Sequence, residues 1–81
     1  MTEKSLEALL FMELKKLAPE CDPASVPPEE NIRDALDIDS YSFLQLLVAI
    51  NDRTGIDIPE TDYGQVSTVG GMLRYLSARL S

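Results

Sequence analysis

Of the side chains that could take part in chemistry here, Ser40 is singled out by its position. It follows Asp39 and opens a run in which Phe43, Leu46, Leu47 and Ile50 recur at three- and four-residue steps. That spacing is the mark of an amphipathic helix, so both residues fall where a helix begins. Asp and Ser are each good N-caps, and a serine at such a place is most simply a cap. The alternative, a nucleophile that acts by itself, needs a base to activate it. Histidine is absent from the 81 residues, which removes the commonest general base and the commonest metal ligand together. The single cysteine, Cys21, excludes an internal disulfide and builds no zinc site without other soft ligands. Carboxylates remain, but none is placed by sequence to activate Ser40. No metal site and no catalytic residue are expected.

Charge narrows the partners. Fourteen acidic residues against seven basic ones give a net charge of −7, which repels nucleic-acid phosphates and anionic lipid surfaces and suits steering toward basic protein surfaces. The excess is concentrated. Residues 20 to 39 hold Glu20, Asp22, Glu29, Glu30, Asp34, Asp37 and Asp39 with Arg33 as their single base. Negative charge is therefore gathered just ahead of Ser40. A composition of 44% hydrophobic and 26% charged residues fits one globular domain over 1–81. No apolar run approaches the length of a membrane span and no signal-peptide pattern opens the chain, so the expected compartment is the cytoplasm.

The elements that must position Ser40 follow from the same periodicities. Leu6, Leu9, Leu10, Leu14 and Leu17 give a first amphipathic helix, with Glu3 and Glu7 near its start and Lys15 and Lys16 near its end complementing the helix dipole. Pro19 ends it, and Pro23, Pro27 and Pro28 mark a long connection to about Asn31. Ile32, Ala35, Leu36 and Ile38 are expected to tuck that loop onto the core. A second helix runs from Asp39 or Ser40 to just before Gly55, with Leu44 and Val48 widening its apolar stripe. Ile56 to Pro59 reads as an extended link that inserts Ile58 into the core, followed by a short helical turn around Thr61 to Gln65. A last helix, capped by Ser67 or Thr68, presents Val69, Met72, Leu73, Leu76 and Leu80, and is weakened by Gly70 and Gly71 at its start. The expected fold is all-α: a small four-helix bundle of three long helices and one short, with a long loop between helices one and two.

The stretch Leu36-Asp37-Ile38-Asp39-Ser40-Tyr41 resembles the acyl carrier protein family and its peptidyl carrier relatives, in which an Asp-Ser dipeptide opens helix two. Ile32 stands where that family has an apolar anchor, and Leu36 keeps the leucine of its Leu-Gly-x-Asp-Ser. Ile56-Asp57-Ile58-Pro59, Thr68-Val69 and Tyr75-Leu76 resemble its later elements, so the likeness covers most of residues 30 to 80. It implies a 4′-phosphopantetheine arm, drawn from coenzyme A, on Ser40, with Asp39 read by the phosphopantetheinyl transferase that attaches it. It further implies acyl-loading and acyl-processing partners and a monomer that does no chemistry of its own. A phosphodiester at that serine would face unpaired backbone N–H groups and the positive end of the dipole, both favourable to it.

The sequence also departs from the family. Asp37 replaces the usual glycine and Tyr41 the usual leucine. The exposed face of helix two, usually rich in glutamate, carries Tyr41, Ser42, Gln45, Val48, Asn51 and Asp52, with one acid beside one base, Arg53. A face of that kind docks through packing and neutral hydrogen bonds and selects a different partner. The expectation is an acyl carrier for a specialised lipid or polyketide pathway. An aminoacyl or peptidyl carrier, and a helical adaptor without a prosthetic group in which Ser40 is only a cap, stand as alternatives.

Overall fold

A computed structural model describes residues 2–80 apart from the Glu3 side chain, and over these residues the chain forms four α-helices and two 3-10 segments. Met1 and Ser81, the ends of the single-domain reading, lie outside the described residues. Helix α1 (Glu3–Leu17) starts where Thr2 accepts the Ser5 N–H. It buries Leu6, Leu10 and Leu14 against α3 (Ser40–Thr54) and α4 (Val69–Leu80). Glu13 is also buried, at 6% exposure, its carboxylate 3.1 Å from Lys16 Nζ and 3.8 Å from Arg53 Nη2. The Glu13–Arg53 pair ties α1 to the end of α3, and Arg53 is not among the residues around the depression on the outer side of that helix.

The proline-rich connection is more ordered than its composition suggests. Asp22 caps a three-residue 3-10 turn, Pro23–Ser25, with Pro23 buried. Asn31 then caps a five-residue helix, α2 (Ile32–Leu36), by accepting the N–H groups of Arg33 and Asp34. So the residues expected to tuck the loop inward do so as a helical turn, with Ile32 and Leu36 buried and Ile38 packed at the edge of the core. The loop is also pinned to the head of α4, through Ile32 N–H to the Ser67 carbonyl at 2.8 Å and Gly70 N–H to the Pro28 carbonyl at 2.9 Å.

After α3, Gly55 takes the left-handed conformation (φ 74°) that stops the helix. Ile56 and Ile58 enter the core, and a seven-residue 3-10 segment, Glu60–Val66, forms where the short turn was expected. It leans on α4, held by Tyr75 O–H donating to Asp62 Oδ2 at 2.6 Å with the Arg79 guanidinium stacked 3.6 Å over the Tyr75 ring. Thr68 caps α4 by accepting the Gly71 N–H. Tyr75 belongs to the buried face of α4, whereas Leu73 and Leu80 are only half-buried.

One reading of the apolar pattern is corrected, and one is extended. Leu44 (41% exposed) and Val48 (61%) do not widen the buried stripe of α3 but lie on its outer side. Gly70 and Gly71 are not mere weaknesses of α4, because a Cβ on Gly71 would run into the Gln65 carbonyl oxygen and one on Gly70 would lie 3.1 Å from the Pro28 carbonyl. The head of α4 is packed so closely on its neighbours that a side chain at Gly71 forces a shift and one at Gly70 is tight.

Candidate functional site

Helix α3 begins at Ser40 because Asp39 caps it. Asp39 lies in extended backbone; its Oδ1 accepts the Ser42 N–H at 2.8 Å and its carbonyl the Phe43 N–H at 3.1 Å. The backbone hydrogen bond from Ser42 is the chief cause that holds the Asp39 carboxyl below its ordinary value, helped by the Ser42 hydroxyl and more weakly by the charge of Arg33. The carboxylate is thus engaged by the turn it caps. Ser40, the first residue of α3, is exposed, and among the described residues its hydroxyl makes no hydrogen bond. An exposed hydroxyl at the first position of α3 is open to a group brought from outside.

The approach to Ser40 is fixed from the N-terminal side. Helix α2 ends with Asp37 in the left-handed region (φ 53°), and the N–H groups of both Asp37 and Ile38 converge on the Arg33 carbonyl. The left-handed turn accounts for the glycine usual at that place, and Asp, a short polar residue, tolerates it. Beside Ser40 opens a cleft of about 310 Å³ with mostly apolar walls, lined by Arg33, Phe43, Leu44 and, across from them, Tyr63 and Ser67.

On the outer side of α3, Tyr41 (67% exposed), Leu44 and Val48 surround a shallow depression with Gln45 and Asp52. Of the residues read from sequence as the docking face, Tyr41, Gln45, Val48 and Asp52 thus stand together. Ser42 is half-buried in the first turn of α3, and Asn51 is turned to the loop, its Nδ2 donating to the Ile56 carbonyl at 2.8 Å. Leu44 joins the face, unforeseen as a site residue because its spacing reads as core. Arg33, unforeseen too, carried one signal in the sequence: it is the only base among residues 20 to 39.

A family model described as "Phosphopantetheine attachment site" matches residues 6–76. The chain belongs to this family. Among curated proteins it is similar to the meromycolate extension acyl carrier protein of Mycolicibacterium aurum, 38% identical over 55 residues that cover 68% of this chain and 57% of that protein. Its likeness to the Mycobacterium tuberculosis protein of the same name is 36% over 55 residues, 68% of this chain and 48% of that one. The acyl carrier protein of Thermobifida fusca is 38% identical over 53 residues, 65% of this chain and 67% of its own length. The match spans about half the length of the meromycolate extension carriers. Ser40 fits the group that defines the family: it is exposed, uncommitted and at a helix N-terminus, with a cleft beside it. No helix among the described residues is long and apolar enough to cross a membrane.

Proposed function

We propose that this chain is a carrier protein that holds acyl intermediates as thioesters on a 4′-phosphopantetheine arm attached to Ser40, in a specialised lipid pathway. The observation that carries the reading is Ser40 itself, exposed at the first position of a capped helix, its hydroxyl without a hydrogen bond among the described residues, inside the segment the family model matches. Ser40 Oγ would form the new P–O bond to the arm while the phosphoanhydride of coenzyme A breaks, its proton passing to a base of the transferase and adenosine 3′,5′-bisphosphate leaving. When bound, the arm supplies a terminal thiol on which an acyl group rides as a thioester.

The chain's own residues do the rest. Asp39 caps α3 and presents Ser40, and Asp39 is the residue the transferase reads. The outer face of α3, Tyr41, Leu44, Gln45, Val48 and Asp52, receives the partner enzymes. The carrier is not an enzyme; it works as a monomer in the cytoplasm and meets the transferase and its acyl-loading and acyl-processing enzymes in turn. The names of the meromycolate extension relatives favour an acyl cargo over an aminoacyl one. Incubating the arm-bearing protein separately with a fatty-acyl ligase and with an amino-acid-adenylating ligase tests the cargo. Loading by the first, released by hydroxylamine, is the expected result, and loading by the second alone would place the chain among aminoacyl carriers.

A further inference from the structure

We propose that Arg33 is a positioning residue for the arm, its guanidinium pairing with the phosphodiester on Ser40. The inference rests on the carrier reading and extends it to a residue outside the Asp-Ser pair. Three observations carry it. Arg33 is the single base in a stretch of seven acids, so a cation has been placed against the local charge. It lines the same cleft as Ser40, and its charge is felt at Asp39, the residue before Ser40. Among the described residues its side chain is in no ion pair, although Asp34, Asp37 and Asp39 are all close in sequence.

Its placement is also rigid at the backbone. The Arg33 N–H is held by Asn31 Oδ1 at 2.9 Å, and its carbonyl accepts from Asp37 and Ile38 in the turn that leads into Ser40. A guanidinium presents a planar fork of donors that matches phosphate oxygens in pairs. Without a cation there, a new negative charge on Ser40 would meet the Asp39 carboxylate and the acidic stretch before it. With Arg33 so paired, the arm leaves Ser40 along the cleft, past Phe43 and Tyr63, and not outward over the α3 face that partners use.

The test compares the arm-bearing forms of the wild type, Arg33→Gln and Arg33→Lys by phosphorus NMR, with a phosphopantetheinylated Ser peptide as reference. The expected result is a phosphodiester resonance displaced from the peptide's in the wild type and partly displaced in Arg33→Lys. It returns to the peptide position in Arg33→Gln, and the wild-type displacement shrinks in 0.5 M salt as the exposed pair is screened. Identical resonances in all three proteins, each shown by mass to carry the arm, would overturn the assignment of Arg33 and leave the carrier reading intact. A protein that accepts no arm at all would sink the carrier reading, and this inference with it.

Discussion

The Asp39 carboxylate receives the backbone N–H of Ser42 at 2.8 Å, so the residue before Ser40 closes the turn on which Ser40 stands. Because that bond favours the ionised form, the Asp39 pKa is lowered in the folded protein. A lowered carboxyl pKa adds stability above its unfolded value of about 3.8, and that stability is lost as pH falls through the folded value. Asp39→Asn keeps a good cap but cannot titrate. Urea denaturation should find the wild type the more stable at pH 7, with the difference narrowing below pH 4; an unchanged gap at pH 3 would show that Asp39 does not act through its charge.

Tyr75 makes the complementary prediction at the alkaline end. Burial first, then donation to Asp62, raises its pKa above the ordinary 10.0. A raised pKa contributes stability that is complete below the unfolded value and is lost as pH rises through the folded one. Tyr75→Phe should therefore be less stable than the wild type at pH 7 and approach it above pH 10. Parallel stability curves for the two proteins up to pH 11 would contradict this.

The close approach at Gly71 sets a packing test. Gly71→Ala gains helix propensity but forces a methyl group into the Gln65 carbonyl, so α4 must shift, and a net loss of about 1–3 kcal/mol is expected. Gly64→Ala meets nothing within 4 Å and should stay within about 0.5 kcal/mol of the wild type. Thermal denaturation of the two variants decides; equal midpoints would mean that the head of α4 is looser than described.

Val48→Glu replaces an exposed apolar side chain at the centre of the outer α3 face. Its folding stability should change by less than about 0.5 kcal/mol, whereas kcat/KM of a partner enzyme that docks there should fall on the order of tenfold or more. The same rate in the wild type should vary little between low and high salt, because the face holds one acid and no base. Steady-state kinetics at two ionic strengths checks both statements, and full activity of Val48→Glu would move the docking site elsewhere.

How much of this was legible in the sequence differs by element. Helices α1, α3 and α4, the Asp39 cap and the stop at Gly55 follow from apolar spacing and capping residues. Helix α2 was not visible, since five residues are too few to show a period, and it ends in a left-handed Asp37 instead of a glycine. Burial of Glu13 was hidden because a carboxylate ordinarily marks the solvent side, and only the fold brings Arg53 to it. Leu44 and Val48 satisfy the spacing of a core stripe, yet among the described residues nothing buries them, and they stay 41% and 61% exposed. For the site, Ser40 and Asp39 lie adjacent in the chain and could be read together. Arg33 becomes a neighbour only through the turn at Asp37.

The central claim is tested most directly by intact mass before and after incubation with coenzyme A and a broad-specificity phosphopantetheinyl transferase, with Ser40→Ala alongside. The account predicts a gain of one phosphopantetheine by the wild type and none by Ser40→Ala, both proteins remaining folded. A folded, initially unmodified wild type that gains nothing from several such transferases, or a Ser40→Ala protein that gains as much, would contradict it.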